Sequence, residues 1–501
     1  MAKYKRYDYS QKVFIPISLE DQLMPGTLEF AIHTLIETRM DMSIFDGNYK
    51  NDETGRSAYD PKVLLKVVLL GYSRGMMSSR KIERACCENV TFMAISCNQR
   101  PDHSTLSSFV ASMKDEISPL FTDILLVCEE EKLLGGTFFA LDGCKLPSNA
   151  SKRWSGNISD IKRKREKIEQ KVKQLLSDQI EADKNDINGL TELSNREKQI
   201  EKLQKQAKRI EKWLNENDAK IGTTGKEIQS NITDNESAKM MTSHGTIQGY
   251  NGQTLVDKKH QIIMHAEAFG CGQDHVHLEP MLDGAKKNLQ EIGHSQDYFK
   301  GKILTADTNY HSHDNIKRCI EEELDAYIPD IKFRTRDSRF DTQKRHQVQT
   351  EKPLKLGDFK HDAVQDHYIC PCNKRLKLNV KQFTRDRVIY RRYVADMNDC
   401  QSCSLKHRCI RHKNAKRKTL TVPIGVTQDN YSKAMAAKVD SEKGRKIYPQ
   451  RMAIVEPVFA NMRAQKQLNR FTLRGKLKVN IQWLLYCMVH NMGKITRYAH
   501  A

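Results

Sequence analysis

The sequence predicts an α/β protein whose core of strands and helices follows a helical N-terminal region and is interrupted by two insertions. Three observations lead to this prediction. Helix-start signals and short apolar helices recur through residues 1–130, apolar residues recur with a period of two in parts of residues 247–330, and residues 153–217 carry coiled-coil spacing. A chain of 501 residues is long enough for several structural units.

The N-terminal region has clear helix boundaries. Asp60-Pro61 is a helix-start pair with proline at the first helical position. In "RPDHSTLSSFVASM" we expect Ser104 or Thr105 to be the N-cap of a later helix. Short helices joined by tight turns suit a helix-turn-helix DNA-binding module, and a plain helical bundle is the alternative.

The charge balance indicates a polyanionic partner. The chain has 83 Lys and Arg against 63 Asp and Glu, a formal net charge of +20, so we expect nucleic acid. A basic helix in the N-terminal region carries the first candidate DNA-binding residues, which are Arg80, Lys81 and Arg84.

Residues 153–217 predict an antiparallel helical hairpin inserted into another domain. The stronger seam is Ile200, Leu203, Ala207, Ile210 and Leu214, and the weaker arm is Ile161, Ile168, Val172 and Leu175. An intermolecular coiled coil is the alternative.

Two predicted strands end in aspartate. Residues 138–142 of "TFFALDG" end on Asp142 before Gly143, and "KILTAD" ends on Asp307. Between and after them we expect two hairpin strands, a helix, a further helix and a strand at 326–329. Carboxylates that meet at a sheet edge repel each other unless a divalent cation or a proton lies between them. A simple Asp-Gly turn after residue 141 is the alternative.

A third acid, Glu456, lies in the helical stretch "AIVEPVFANMR". Its apolar neighbours make a solvated helix face unexpected. We therefore expect Glu456 to complete a metal-binding trio with the two aspartates, and we expect Asp234 and Asp257 to be structural.

The order of these elements resembles the RNase H-like core of DDE transposases. The local sequences resemble bacterial insertion-sequence transposases with an InsH-like helical N-terminal domain. The similar blocks are "DPKVLLKVVLLGYSRGMMSSRKIERACCENV", "LDGCKLPSNASK", "GYNGQTLVDKKHQII", "ADTNYHSHDNIKRC", "RMAIVEPVFANMR" and "NRFTLRGKLKVNIQWLLYCMVHNMGKI".

The resemblance implies a function and a division into domains. Asp142, Asp307 and Glu456 would hold two Mg²⁺ ions, or Mn²⁺, to cut double-stranded DNA at the transposon ends and join the 3′ ends to target DNA. A homodimer is implied. The expected parts are a DNA-binding domain (1–130), a catalytic core (131–152, 218–330 and 446–501), the hairpin (153–217) and a cysteine-containing insertion (331–445).

The helix that carries Glu456 departs from the family pattern. Related transposases carry Arg four residues before the glutamate and Lys seven after it. Here Met452 is at the first position, with Arg451 beside it and Tyr448 one residue off register, while Arg463 is at the second. Arg451 and Arg463 are therefore expected to contact DNA.

Five cysteines predict a structural Zn²⁺ site in the second insertion. They form C-x-C, then 27 residues, then C-x₂-C-x₅-C. Four of the five would bind the metal, with Cys409 competing against Cys370, Cys372, Cys400 and Cys403. His407 and His412 are further candidate ligands, and packing thiols are the alternative.

A basic segment accompanies the cysteines. Seven of the thirteen residues from 406 to 418 are Lys or Arg, which is typical of a phosphate-binding surface or of a solvated charge run. The candidate DNA-binding residues here are Arg411, Lys413, Lys416 and Arg417.

The composition favours a cytoplasmic protein, and the resemblance to bacterial transposases implies that it acts on the nucleoid. The N-terminus lacks the apolar segment of a signal peptide, no run reaches the length of a membrane span, and thirteen cysteines without such a signal predict reduced thiols. Two other functions stay open: a catalytically silent, transposase-derived DNA-binding protein, and a hydrolase that only cuts.

Overall fold

The computed structural model describes residues 18–49, 57–184, 190–222, 225–243, 245–340, 342, 353–385, 388–410, 412, 414–424 and 431–499. Contacts divide the chain into two compact units. The first is Met1–Pro329 with Ser441–Ala501, and the second is Asp330–Asp440.

Six helices form the described part of the N-terminal region. They are α1 (Leu28–Thr38), α2 (Pro61–Ser73), α3 (Ser79–Glu88), α4 (Val90–Ile95), α5 (His103–Ser112) and α6 (Ile117–Glu130). Asp60 caps α2 by accepting a hydrogen bond from Lys62 N, as predicted. The expectation for α5 is wrong, because Asp102 is its cap and accepts from the backbone N–H groups of Ser104 and Thr105.

The inserted hairpin consists of α7 (Ile158–Lys184) and α8 (Leu190–Glu216), which pack against each other. Four residues of the predicted seam are buried, which confirms the contact between the two helices: Ile161, Val172, Ile200 and Ile210. The other predicted seam residues are partly buried. Trp213 and Ile232 join Ile161 and Ile210 in a small core at one end of the hairpin. The two helices of the seam therefore pack against each other within one chain, as the antiparallel hairpin predicts.

A six-stranded mixed sheet forms the core of the first unit. Its strands are β1 (Phe138–Pro147), β2 (Ala238–Thr242), β3 (Gly245–Asp257), β4 (Ile263–Phe269), β5 (Ile303–Ala306) and β6 (Asp325–Tyr327). The spatial order is β2-β3-β1-β5-β6, and β4 pairs with β3. Helices α9 (Leu278–Glu291) and α10 (His313–Glu321) precede β5 and β6. Strands β1, β5 and β6 are parallel, and β2, β3 and β4 are antiparallel to their neighbours.

Strand β1 corrects the predicted end at Asp142. The strand continues to Pro147, and Asp142 and Gly143 pair with Thr254 and Gln253 of β3. The alternative of an Asp-Gly turn is therefore also wrong. The long partner strand β3 supplies backbone hydrogen bonds beyond the point where β5 stops, and this pairing overrides the local turn preference of Asp-Gly.

The second unit contains a five-stranded antiparallel sheet. Its strands are β7 (Lys360–Asp362), β8 (His367–Ile369), β9 (Arg375–Arg385), β10 (Val388–Ala395) and β11 (Thr419–Pro423), in the order β11-β10-β9-β8-β7. Its α-helices in the described residues are α11 (Met397–Gln401), α12 (Lys406–Cys409) and α13 (Tyr431–Asp440). A small core that includes Tyr368, Leu376, Tyr393 and Cys400 holds the sheet together.

The C-terminal helices are α14 (Glu442–Ile447), α15 (Gln450–Ala460) and α16 (Lys476–Tyr498). Helix α16 is buried throughout its middle part, residues 481–492, and packs against β4, α2 and α6. Its Asn491 side chain exchanges two 2.9 Å hydrogen bonds with the backbone of Ile263, and Tyr486 stacks on Tyr72 of α2. The N-terminal helices and the sheet therefore share one core through α16. No helix in the described ranges is long and apolar enough to cross a membrane.

Candidate active site

Asp142 and Asp307 lie at the same level on two neighbouring parallel strands. The last paired residues are Leu141 of β1 and Ala306 of β5, and each aspartate is the next residue along its strand. Neighbouring strands are about 4.8 Å apart, so the two side chains face the same small volume. The sequence prediction of a carboxylate pair is met by this register.

The pair is partly buried, and this changes its electrostatics. The side chains of Asp142 and Asp307 are 23% and 33% exposed. Burial raises the pKa of Asp142 to about 6, and the Asp307 carboxylate adds to the rise, while Arg451 and the Gly143 N–H oppose it. Two negative charges at this position need a counter-charge.

Arg451 of α15 supplies that counter-charge. One guanidinium nitrogen donates to Asp142 Oδ2, and the other lies 3.9 Å from Asp307 Oδ1. Tyr448 hydrogen-bonds the same guanidinium, whose side chain is only 12% exposed. Arg451, expected at the DNA interface, lies instead between the two aspartates.

Glu456 is outside this pair. Helix α15 buries Ile454, Val455 and Val458, and Glu456 comes five residues after Arg451, or about 140° around the helix. Its side chain is exposed, so the expectation that it avoids a solvated face is wrong. Across the described part of the chain, no three His, Cys, Asp or Glu side chains are arranged to hold a metal ion.

Arg463 contacts Cys144, on the same strand as Asp142. It belongs to a π-helical turn, Asn461–Gln465, that follows α15, and its guanidinium contacts the Cys144 thiol. Cys144 is two residues after Asp142, and residues i and i+2 lie on the same face of a strand. Arg463 thus adds a second guanidinium to the face of the sheet that carries Asp142.

A buried polar network, which the sequence reasoning missed, supports the site. Asp274 accepts hydrogen bonds from Asn251 Nδ2 (2.6 Å) and Gln253 Nε2 (3.1 Å), and the Tyr310 hydroxyl donates to Gln253. Gly143 leaves room for these amides, since a Cβ there would lie 2.0 Å from Gln253 Nε2. The available signal was the pair of amide side chains, Asn251 and Gln253, two residues apart on one predicted strand and therefore on one face of it.

Asp234 and Asp257 have contacts that fit the structural roles expected of them. Asp234 accepts from the Tyr250 hydroxyl at 2.8 Å. Asp257 accepts from the backbone N–H groups of Gly135 and Gly136, and so fixes the turn before β1.

The candidate DNA-binding side chains are distributed over both units. In the first unit, Arg80, Lys81 and Arg84 are exposed on α3. In the second unit, Lys416 and Arg417 are exposed, and Arg411 and Lys413 lie outside the described residues.

The five cysteines of the second unit form a thiol cluster. Cys372 Sγ lies 3.5 Å from Cys403 Sγ, and the pKa of Cys372 is raised by that hydrogen bond, by burial and by nearby Cys370. Burial raises the pKa of Cys409, Lys418 opposes the rise, and Cys400, Cys403 and Cys370 add to it. Backbone N–H groups of Lys374 and Lys418 donate to the sulfurs of Cys370 and Cys400.

Two family models match the chain. Residues 17–112 match a transposase domain (DUF772), and residues 369–496 match a transposase DDE domain. Together they support an insertion-sequence DDE transposase. The mixed sheet and the helical N-terminal region are consistent with the RNase H-like core of a DDE transposase.

The second match contains Glu456 and the thiol cluster, and neither aspartate lies inside it. The comparison therefore supports DNA transposase function without assigning residues to it. No curated protein matches the chain.

Proposed function

We propose that this protein binds the ends of its insertion sequence, cuts the DNA by metal-dependent phosphodiester hydrolysis and joins the 3′ ends to target DNA. The observation that carries the proposal is the carboxylate pair of Asp142 and Asp307, which is partly exposed where β5 ends beside β1 and is bridged by a cationic side chain. Its substrate would be DNA of the bacterial nucleoid, bound by a homodimer.

The carboxylate pair fits a divalent cation. Mg²⁺ is usually held by one or two carboxylates and keeps several waters, and two partly exposed aspartates on adjacent strands offer such a position. Bound there, Mg²⁺ or Mn²⁺ would act as a Lewis acid and stabilise the attacking and leaving oxygens of the phosphodiester. We assign Glu456 as the third carboxylate, which requires that Arg451 leave the pair and that α15 reorient.

The basic side chains have a separate task in this proposal. Arg463, beside Cys144, can hold a DNA phosphate with two parallel hydrogen bonds next to the carboxylates. The exposed cations of α3 and of the second unit would bind the DNA backbone away from the reacting phosphodiester.

A catalytically silent DNA-binding protein is the second candidate. The exposed position of Glu456 favours it, because the described structure brings only two of the three acids together. In that case the basic surfaces would function and the carboxylates would remain paired with Arg451.

The test is cleavage and joining of labelled DNA that carries the element's own ends, with Mg²⁺. We expect Asp142→Asn and Glu456→Gln to abolish both reactions and to retain DNA binding, since phosphate contacts dominate affinity. Glu279→Gln is the matched control, an exposed helical glutamate of the same unit, and should cut normally. A wild-type protein that binds these ends and never cuts with any divalent metal would establish the silent candidate.

We also propose that the thiol cluster holds a structural Zn²⁺ once its side chains rearrange, since no three of them in the described structure are arranged to hold a metal ion. The short distance between Cys372 and Cys403 and the N–H donors to Cys370 and Cys400 support it, because such hydrogen bonds stabilise thiolate ligands. We expect about one zinc per chain by elemental analysis and a large loss of zinc in Cys372→Ser. Cys97→Ser, at an exposed cysteine of the first unit, is the control. Equal zinc content in all three proteins would reject the site.

A further inference from the structure

A basic cavity lies on the side of α15 away from Arg451. It has a volume of about 540 Å³ and lies between the end of α15 with its π-helical turn and the helix α16. Its apolar lining consists of the small residues Pro457, Ala460, Ala464 and Gly493. Its polar lining is Gln261, Asn461, Gln465, Lys466, His490, Lys494 and Arg497, which contains three cations and no carboxylate.

Lys466 is the most unusual member of the lining. Its side chain is 7% exposed, and burial, with help from Lys494, lowers its pKa to about 8. In the described ranges its ammonium has no ion pair and no hydrogen-bond partner. A buried lysine is rarely tolerated without a partner, because an unpaired ammonium is costly to desolvate. The ammonium of Lys466 lines the cavity, where an anion can supply the missing partner.

The other two cations face the same cavity. Lys494 Nζ donates to Gln261 Oε1 at 2.8 Å, which leaves two of its three protons free, and burial and the nearby Arg497 lower its pKa. Arg497 lies over the ring of Tyr498, and its side chain is exposed. Across the described residues, neither Lys494 nor Arg497 forms an ion pair with a carboxylate.

The wall of the cavity is built by a specific hydrogen-bond exchange. Pro457 has no N–H to donate to the carbonyl of Ala453, and Gln261 Nε2 donates to that carbonyl instead, at 2.9 Å. The Gln261 carbonyl in turn accepts from His490 Nε2 at 2.9 Å. Gln261 lies in the turn between β3 and β4, where its φ is +61°. Its two hydrogen bonds, to Ala453 of α15 and His490 of α16, fix this turn against both helices. The cations thus surround a preformed space.

We propose that this cavity binds a phosphate group of DNA through Lys466, Lys494 and Arg497. Ammonium and guanidinium groups that converge without a carboxylate are the chemistry that recognises phosphate. The volume leaves room for an adjoining sugar. DNA is favoured over free phosphate because the cavity begins at Pro457, next to Glu456, so a strand held there would run along the exposed face of α15. This choice of source rests on the proposed function, whereas the anion site does not.

Two variants and one control test the site. Lys466→Met keeps the length of the buried side chain and removes its charge, Arg497→Gln changes an exposed residue, and Lys478→Met removes an exposed lysine elsewhere on α16. The probes are a fluorescent duplex that carries the element's ends, followed by anisotropy across a salt series, and inorganic phosphate, followed by thermal unfolding.

We expect Lys466→Met and Arg497→Gln each to weaken duplex binding at 150 mM salt by about three- to tenfold, and to reduce the salt slope by about 1. Lys466→Met should also raise the melting temperature without DNA, because it removes an unpaired buried charge. Lys478→Met should match the wild type in melting temperature. Salt slopes for both cavity variants equal to that of Lys478→Met would overturn the DNA assignment.

The phosphate arm separates the two sources. Stabilisation of the wild type by inorganic phosphate, lost in Lys466→Met while duplex binding stays unchanged, would assign the cavity to free phosphate and overturn the DNA assignment. Absence of both effects would overturn the anion site itself. A duplex that is bound through the cavity and never cut would remove the proposed catalysis and leave the phosphate site standing, so the two failures are distinguishable.

Discussion

Replacing Arg451 tests whether its guanidinium holds the carboxylate pair in place of a metal ion. In Arg451→Gln, two carboxylates about 5 Å apart lose their counter-charge, and with an effective dielectric constant near 20 their repulsion is about 3 kcal/mol. The side chains of Asp142 and Asp307 are 23% and 33% exposed, so solvent screening reduces this to about 2 kcal/mol. We expect the metal-free variant to lose about that much free energy of unfolding.

The same substitution should improve metal binding. In the wild type, Mn²⁺ has to displace the guanidinium, and in Arg451→Gln it does not, so about 2 kcal/mol corresponds to roughly thirtyfold tighter binding. The assay is a Mn²⁺ titration followed by electron paramagnetic resonance, with thermal unfolding measured in parallel with and without the ion. Neither readout depends on cleavage activity.

The control is Arg39→Gln, which breaks an exposed pair with Glu130 in the same unit, with side chains 40% and 45% exposed. We expect this variant to lose at most about 1 kcal/mol and to bind Mn²⁺ like the wild type. If Arg451→Gln is as stable as the wild type in metal-free buffer and binds Mn²⁺ no more tightly, the guanidinium is not a competitor for the carboxylates and the reasoning fails.

Three further variants test the surroundings of the site. Gly143→Ala should lower the free energy of unfolding by about 1–3 kcal/mol in a denaturant titration, because the new Cβ would lie 2.0 Å from Gln253 Nε2. A variant as stable as the wild type would show that the Gln253 amide has room to move. Asp274→Ala should lower the free energy of unfolding by about 2 kcal/mol, since it leaves the buried amides of Asn251 and Gln253 without their acceptor. Asp274→Asn should lower it less, because the Asn oxygen can still accept. Equal losses in the two variants would argue against this network. Burial, with Lys494 and Lys466 adding to it, lowers the pKa of His490 to about 3, although its bond to the Gln261 carbonyl opposes this. Because the pKa of His490 in the folded state lies below the unfolded value of about 6.5, the free energy of unfolding falls as the pH falls below 6.5. The expected loss between pH 7.5 and 5.0 is about 2 kcal/mol. His490→Asn should remove this loss when unfolding is measured at both pH values.

The carboxylate pair was predictable because an aspartate follows each of two similar apolar stretches, 138–141 and 303–306, and parallel neighbours bring their equivalent positions together. The length of β1 was not predictable in the same way. The turn preference of Asp-Gly is a local signal, whereas the pairing of Gly143 with Gln253 depends on a strand about a hundred residues later. The Asp102 cap was missed for a simpler reason: it directly precedes the His-Ser-Thr run in which the cap was sought.

The position of Glu456 is a different kind of error, since the sequence contained the information needed to avoid it. Arg451, Val455, Val458 and Met462 recur at spacings of four, three and four, which defines one face of a helix, and Glu456 is not on it. Apolar neighbours in sequence were read as apolar neighbours in space. On a helix, consecutive residues lie about 100° apart, and residues three, four or seven apart share a face.

The proposed function predicts that DNA binding and metal binding are coupled through Arg451. A DNA phosphate that draws the Arg451 guanidinium away from the aspartates leaves two adjacent carboxylates whose repulsion a divalent cation relieves. The coupling has to be reciprocal: DNA that engages Arg451 raises the affinity for the metal ion, and the metal ion raises the affinity for DNA by the same factor. Such coupling would keep the carboxylates paired with arginine, and the site inactive, until DNA is present. Because the effect runs through one guanidinium, Mn²⁺ affinity should rise on adding DNA in the wild type and stay constant in Arg451→Gln. An equal rise in both proteins would place the coupling elsewhere in the chain.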